Sequence, residues 1–286
     1  MKVLIIILSI VLVLLIFFVT VMVIDCHRLI VRNYVFSSPK IKEDKNFVFL
    51  TDLHSSSFGK NNERLIAKID GLTPDAILIS GDMFTALADE NLDACKELIK
   101  NLSSKYPIYY ANGNHERKVK EKPEEFGNMY EDFKDFLARC RVNYLENSQI
   151  EYDENLTIYG LDLEFEYYKK FVRIRPNKEG MVERLSSLDE QKYNILLAHN
   201  PEYFEDYSLW GADLVCAGHY HGGLMRLPAI GGVISPRYRL FPKYDYGVYH
   251  KGDSTMVLSC GLGTHTLPIR IFNPGEVSVI RLCKRT

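Results

Sequence analysis

The side chains of this sequence that could do chemistry are concentrated in five short polar segments, which hold five of its eight histidines. Aspartate, asparagine and histidine without cysteine suit Mn²⁺, Fe or Zn²⁺ better than a structural thiolate zinc site or an all-oxygen Ca²⁺ site. The segments are Asp52-Leu53-His54, Gly81-Asp82, Gly113-Asn114-His115-Glu116, Ala198-His199-Asn200 and Gly218-His219-Tyr220-His221-Gly222-Gly223.

Together these segments indicate a site for two metal ions. Alone, Asp52-Leu53-His54 and Gly81-Asp82 are more typical of a cap or a turn, and His199 of a structural histidine, whereas the other two patterns are rare. About seven ligands exceed what one ion needs, but they suit two ions roughly 3.5–4 Å apart that share a carboxylate. Such a pair holds the attacking and leaving oxygens of an in-line displacement at phosphorus and lowers the pKa of bound water. The combination therefore predicts hydrolysis at phosphorus.

The elements that must position these segments are short apolar runs, each followed by polar residues and glycine. Continuous apolar runs of this length predict strands buried on both faces. They are residues 47–50, 76–79, 108–110, 195–197, 214–216 and 256–258. Further strands are predicted at residues 156–159 and 277–282, and helices at 61–70, 89–102 and 124–140. The first half reads as alternating strands and helices and the second half is richer in strands, which favours two sheets over one parallel sheet. Loops at the carboxyl ends of such strands can converge on one ligand.

In this order the five segments resemble the signature blocks D-x-H, G-D, G-N-H-[DE], H and G-H-x-H of the calcineurin-like metallophosphoesterases. The resemblance extends over residues 46–282. Gly261-Leu262-Gly263 followed by Pro268-Ile269-Arg270 is similar to the membrane-associated bacterial branch of that family. The resemblance implies an α/β fold, a four-layer α/β/β/α sandwich with two mixed β-sheets.

The resemblance also implies a role for each matching residue. One metal ion would be held by Asp52, His54, Asp82 and His221, and a second by Asp82, Asn114, His199 and His219, with Asp82 bridging. His115 would be catalytic, because it would contact the scissile phosphate and stabilise or protonate the leaving oxygen. Glu116 is expected to hydrogen-bond and orient a neighbouring histidine, or else to be an exposed carboxylate.

The expected function is hydrolysis of a phosphomonoester, phosphodiester or pyrophosphate bond by a hydroxide that bridges the two divalent ions. The substrate would be a phosphate ester, such as a membrane lipid or a cell-envelope intermediate. The alternative is a binding protein that keeps the metal scaffold without turnover.

The N-terminus carries a long apolar segment. Residues 3–24 are apolar except for Ser9 and Thr20, and at about 1.5 Å per residue they would span roughly 33 Å as a helix. We therefore predict a transmembrane anchor over residues 1–25, a linker over 26–45 and the catalytic domain over 46–286. A cleaved signal peptide is the alternative, but its apolar region would be shorter and no small-x-small cleavage site follows.

The charges around this segment bear on its orientation. Lys2 precedes it, whereas Arg28, Arg32 and further lysines follow it. The positive-inside rule then favours a cytoplasmic domain, although single N-terminal anchors often deliver their domain outside.

Composition limits the remaining classes of function. The chain has 286 residues, 47% of them hydrophobic and 25% charged, which is typical of a folded protein. With 35 Lys and Arg against 37 Asp and Glu the net charge is −2, so charge does not imply nucleic-acid binding. Six scattered cysteines without a C-x-x-C pair indicate packed, reduced thiols. Nothing in the sequence specifies an oligomeric state.

Overall fold

The computed structural model describes residues 1–169, 174–223, 226–227, 231–233, 240–264 and 268–285. Its helices are α1 Lys2–His27, α2 Glu63–Asp70, α3 Asp93–Ser103, α4 Asn114–Glu121, α5 Pro123–Phe126, α6 Met129–Arg139, α7 Lys178–Leu185 and α8 Phe204–Trp210. Its strands are β1 Leu29–Ser38, β2 Lys45–Leu50, β3 Ala76–Ile79, β4 Ile108–Tyr110, β5 Asn143–Tyr144, β6 Ser148–Asp153, β7 Leu156–Leu161, β8 Tyr193–Ala198, β9 Leu214–Ala217, β10 Arg226–Leu227, β11 Gly231–Gly232, β12 Gly247–Lys251, β13 Ser254–Leu258 and β14 Gly275–Lys284.

Two six-stranded mixed sheets form the centre of the domain. The first has the order β1-β14-β2-β3-β4-β5 and the second the order β12-β13-β9-β8-β7-β6. In the first sheet β2, β3 and β4 are parallel and β14 is antiparallel to β2. In the second sheet β7, β8, β9 and β13 are parallel, and β6 and β12 are antiparallel at the two edges.

Three apolar clusters separate four layers. Phe47 and Phe49 pack between the sheets with residues of β7, β8 and β9. Val48 and Leu50, on the other face of β2, pack with helices α2, α3 and α6. The outer face of the second sheet packs with α7 and α8. Burying one such side chain contributes about 1.5–3 kcal/mol to the stability of the fold. The arrangement of layers confirms the predicted α/β/β/α sandwich.

The predicted linker is wrong for residues 29–38, which form β1. This strand pairs in parallel with β14 from Leu29 opposite Gly275 to Ser38 opposite Lys284. Arg32 Nε and Tyr34 Oη donate to the buried Glu276 carboxylate at 3.0 and 2.9 Å. Arg32 and Tyr34 thus have a partner more than two hundred residues later in the chain, which the local sequence pattern does not reveal.

The helix predicted over residues 124–140 is two helices, α5 and α6. They are separated at Gly127, whose φ of +59° and ψ of −134° lie in a region that other residues rarely adopt. Helix α4 was not predicted, because only His115, Glu116 and Val119 of its eight residues are buried and its charged remainder shows no clear apolar period.

Helix α1 is long and apolar enough to cross a membrane, and a signal sequence would pass the same test. Its end is attached to the domain. Asp25 is 4% exposed, and its Oδ2 accepts a hydrogen bond from the backbone N–H of Asn273 at 2.9 Å. The rings of Phe17 and Phe18 lie with their centroids 6.3 and 6.5 Å from that of Phe272.

Candidate metal centre

The predicted ligands come from loops at one edge of the two sheets. Strands β2, β3 and β4 end just before Asp52, Asp82 and Asn114 in the first sheet. In the second sheet β8 ends just before His199 and β9 just before His219. Since the carboxyl ends of parallel strands share an edge, the two sheets bring these side chains together.

The Asp82 carboxylate lies at the centre of the group. Its Oδ2 is 3.0 Å from His199 Nε2. The same oxygen is 3.8 Å from His54 Nε2 and 3.9 Å from His115 Nε2. Asp82 is 1% exposed, so one buried carboxylate faces three imidazoles.

Asp52 lies beside Asp82 and faces a second set of imidazoles. Its Oδ1 is 3.3 Å from His221 Nε2 and 3.8 Å from His199 Nε2. His54 Nε2 is 3.2 Å from His221 Nε2. In each of three sets, the ligand atoms of the members lie within 4.8 Å of one another: Asp52, His54 and His221; His54, Asp82 and His115; and Asp82, His199 and His219.

Two buried carboxylates this close need compensating positive charge. Burial raises the pKa of Asp52 to about 6, although the nearby His199 opposes that shift. Burial also acts to raise the pKa of Asp82, but attraction to His199 and the hydrogen bond with its ring outweigh it and hold that pKa well below its ordinary value. Burial acts to lower the pKa of His199, and the charges of Asp82 and Asp52 outweigh it, raising that pKa to about 9. Protonated histidine or a metal ion can supply this charge.

The residues present fit divalent metal ions. His199 Nδ1 lies 2.6 Å from the Ser80 carbonyl oxygen, so in the neutral, metal-binding form of the ring Nδ1 keeps the proton and the Nε2 lone pair faces Asp82. Asn114 Oδ1 is buried and has no hydrogen-bond partner among the described residues. A buried carbonyl oxygen without a donor is costly, and a metal ion would satisfy it. The donors are oxygen and imidazole nitrogen, as expected for Mn²⁺, Fe or Zn²⁺.

Several of these residues have left-handed backbone conformations. The φ angles of Asp52, His54, Asp82, His219 and His221 are 55°, 47°, 53°, 71° and 50°. Such conformations cost about 1–3 kcal/mol each and persist where surrounding contacts impose them. Adjacent glycines make the close packing possible: a Cβ on Gly81 would lie 1.8 Å from Gly113 N, and one on Gly218 would lie 2.3 Å from Asp52 Oδ2.

Glu116 contacts backbone rather than the histidine that was expected to be its partner. Its Oε2 accepts from the N–H groups of Asp82 and Gly113 at 2.9 and 3.0 Å. Its Oε1 accepts from Met83 N–H at 2.9 Å and from Tyr110 Oη at 2.7 Å. The alternative of an exposed carboxylate is also wrong, since Glu116 is 0% exposed. Burial, together with the charge of Asp82, raises its pKa to about 7.

His115 lies at the start of α4, with its side chain 10% exposed. Its backbone N–H donates to Asp82 Oδ1 at 2.9 Å. Its Nδ1 accepts the backbone N–H of Ala86 at 2.8 Å. Because a backbone amide only donates, Nδ1 is unprotonated and the neutral ring carries its proton on Nε2.

Two supporting residues were not predicted. Asn273 Nδ2 donates to the carbonyl oxygens of His221 and Gly223 at 2.6 and 3.0 Å. Arg270 is 2% exposed and donates to the carbonyls of Cys260, Gly261, Gly263, Asn273 and Pro274. Arg270 belongs to the Pro-Ile-Arg tail, which was the only signal for it in the sequence. Asn273 had none.

Known proteins resemble this chain over most of its length. Residues 45–223 match the family described as calcineurin-like phosphoesterase. An uncharacterized metallophosphoesterase of Helicobacter pylori strain J99 is 28% identical over 254 residues, which cover 85% of this chain and 61% of the relative. An uncharacterized metallophosphoesterase of Campylobacter jejuni is 30% identical over 264 residues, covering 85% of this chain and 60% of the relative.

The chain thus spans about three fifths of the length of these two relatives. Among solved structures, a 5′-nucleotidase precursor from Thermus thermophilus superimposes with a TM-score of 0.45 at 17% identity. That match covers 76% of this chain and 49% of the other.

Proposed function

The chain belongs to the calcineurin-like phosphoesterase family, and on that premise we propose that it hydrolyses phosphate esters with two divalent metal ions. The main support is the position of Asp82, whose Oδ2 lies 3.0 Å from His199 Nε2 and 3.8 Å from His54 Nε2. This carboxylate is grouped with His54 in one ligand set and with His199 and His219 in another, which supports a position between the two ions.

We assign the ions to two overlapping sets of residues. Asp52, His54, Asp82 and His221 would hold one ion, and Asp82, Asn114, His199 and His219 the other. When bound, the ions supply Lewis acidity and lower the pKa of the attacking water. Mn²⁺, Fe and Zn²⁺ all suit these donors.

We assign to His115 the contact with the substrate phosphate. Its proton is on Nε2, and that atom lies 3.9 Å from Asp82 Oδ2. It would therefore donate a hydrogen bond to a phosphate oxygen at the cluster as a neutral imidazole. Glu116 would act through the backbone, by holding the loop that carries Asp82.

We propose that α1 anchors the enzyme in a membrane. The charges that follow it, beginning with Arg28 and Arg32, favour a domain on the cytoplasmic side. The bond that the enzyme hydrolyses would be that of a phosphomonoester, a phosphodiester or a pyrophosphate.

The second candidate is a binding protein of the same fold that does not turn over substrate. Loss of ligands would favour it. All seven candidate ligands are present instead, with His115 beside them, and this supports hydrolysis.

The test uses the full chain in detergent with Mn²⁺. It should hydrolyse p-nitrophenyl phosphate or bis-p-nitrophenyl phosphate, and chelation should abolish turnover until Mn²⁺ is restored. His199→Gln should lose activity, whereas His250→Gln, a matched change at an exposed histidine of β12, should retain it. Turnover that survives exhaustive metal removal would refute the proposal.

A further inference from the structure

The metal centre and the end of α1 lie at the same edge of the domain. Strand β14 is antiparallel to β2, with Ser278 opposite Phe49, so β14 begins where β2 ends. Asp52 follows that end of β2. Strand β1 begins directly after α1, with Leu29 opposite Gly275 at the start of β14. The apolar helix therefore enters the domain at the edge that carries the candidate ligands.

One residue joins the two features directly. The backbone N–H of Asn273 donates to Asp25 of α1 at 2.9 Å. The side chain of Asn273 donates to the His221 carbonyl at 2.6 Å. Asn273 is 1% exposed and Asp25 is 4% exposed. These buried contacts fix the end of α1 against the loop that carries His221.

The neighbouring residue, Phe272, projects alongside α1. Its side chain is 37% exposed although it packs beside Phe17 and Phe18 of the helix. Its φ of 54° is uncommon for a bulky residue. Phe17 and Phe18 precede the helix end at His27 by nine or ten residues, or roughly 14–15 Å at 1.5 Å per residue. The hydrocarbon core of a bilayer is about 30 Å thick, so Phe272 lies beside a part of α1 that a bilayer would cover.

Positive charge is present at the same edge. The Arg28 side chain is 57% exposed. Arg64 donates from Nη2 to the carbonyl oxygen of His27 at 3.3 Å, which brings its guanidinium to the end of α1. Basic side chains at this level attract phosphate-bearing lipid surfaces.

We propose that Phe272 enters the bilayer beside α1, so that the metal centre lies at the membrane surface and acts on phosphate esters carried by lipids. The membrane contact rests on α1 as an anchor, and the choice of substrate rests in addition on the proposed hydrolase function. A bilayer is the occupant that accounts for the exposed ring, the exposed helix beside it and the basic side chains together.

The membrane contact is tested by fluorescence quenching. The full chain is reconstituted in phosphatidylcholine vesicles whose lipids are brominated on the acyl chains. Phe272→Trp is compared with Phe18→Trp, inside α1, and with Val35→Trp. Val35 is 60% exposed and lies six residues along β1 from Leu29, about 20 Å from the proposed membrane edge. The signal of native Trp210, measured in the unsubstituted chain, is subtracted.

We expect loss of fluorescence at Phe18→Trp and Phe272→Trp, and none at Val35→Trp. Quenching at Phe18→Trp alone would overturn the proposed position of Phe272. Absence of quenching at Phe18→Trp would overturn the anchor and the proposal with it. No outcome of this experiment depends on enzymatic activity.

The substrate class is tested with two esters that share one reacting group. Hexadecyl 4-nitrophenyl phosphate in the vesicles is compared with ethyl 4-nitrophenyl phosphate in solution, using the unsubstituted full chain. Because the membrane concentrates the first ester at the site, its kcat/KM should be at least about tenfold higher. Phe272→Asp should move this ratio toward one.

Equal kcat/KM for the two esters would overturn the lipid assignment while leaving the hydrolase function in place. Hydrolysis of neither ester would overturn the assignment to lipid-borne diesters. If p-nitrophenyl phosphate and bis-p-nitrophenyl phosphate also stay intact, the hydrolase function itself is refuted. The quenching result would then still decide the membrane contact.

Discussion

Replacing His115 with glutamine should distinguish a hydrogen-bond donor from a general acid. Nδ1 of this histidine accepts the Ala86 N–H at 2.8 Å, so the proton of the neutral ring is on Nε2. A second proton would have to occupy Nδ1 and would face the N–H of Ala86. The structure therefore favours a neutral ring that donates to phosphate from Nε2 over a cation that releases a proton to the leaving group.

The two roles predict different effects. Glutamine places an amide N–H near the position of Nε2, whereas alanine places nothing there. Loss of one aimed donor costs about 10²–10³ in kcat, or about 2.7–4 kcal/mol. We expect that loss for His115→Ala, and a loss of about tenfold, or ~1.4 kcal/mol, for His115→Gln, because its amide overlays Nε2 imperfectly. A glutamine cannot act as a general acid, so that role would make both variants slow, by about 10²–10⁴.

The assay measures kcat for an alkyl phosphate ester, since a poor leaving group depends most on a proton donor. Both variants lose the imidazole acceptor of Ala86 N–H, so they share this structural cost. Metal content, measured by mass spectrometry, should equal that of the unsubstituted chain in both. A glutamine variant as slow as the alanine variant would refute the assignment of His115 as a neutral donor.

Three further predictions concern the ligands and their support. Asp82→Asn should lower the affinity for both ions together, whereas His221→Gln should weaken the binding of one ion. Metal titration by calorimetry measures both affinities. A loss of affinity for a single ion in Asp82→Asn would contradict the bridging role. Glu116→Gln should lower the free energy of unfolding by about 1–3 kcal/mol, because an amide NH₂ replaces an acceptor of backbone N–H groups; unchanged urea denaturation would argue against that role. Chelation should lower the unfolding temperature, because ions that bind only the folded chain stabilise it by mass action. Scanning calorimetry with and without Mn²⁺ tests this. Equal unfolding midpoints would count against metal binding in the folded state.

The strands around the site could be predicted because they are buried on both faces. The predicted strand at residues 76–79 is β3, with all four residues buried. Residues 47–50 and 195–197 lie within β2 and β8. In each case a continuous apolar run directly precedes a polar loop. The run predicts the strand, and the polar segment after it marks the strand's end and supplies the candidate ligands. The order of strands in the two sheets could not be read from such runs, because pairing depends on contacts between distant residues.

Strand β1 illustrates this limit. Its segment mixes apolar residues with Arg32 and Asn33, which locally resembles a linker. It becomes a strand because β14, more than two hundred residues later, supplies a parallel partner and the buried Glu276 that accepts from Arg32. Glu116 shows the same limit in part, because two of its four donors, the N–H groups of Asp82 and Met83, lie more than thirty residues earlier in the chain.

Residue type and spacing were enough to choose the candidate ligands, whereas the orientation of these side chains could not be predicted. A left-handed conformation at Asp52 or His54 runs against local preference, so no sequence window would favour it. Contacts between loops impose it: Asp52 N–H donates to the Gly81 carbonyl at 3.0 Å, and His54 N–H donates to the Asp82 carbonyl at 3.1 Å. The loop of Asp82 is held in turn by Glu116. The strained backbone at the candidate ligands therefore persists because long-range hydrogen bonds hold their loops in place. A substitution that weakens those hydrogen bonds should release the ligands before it unfolds either sheet, because the strained loops have the most to gain from relaxing.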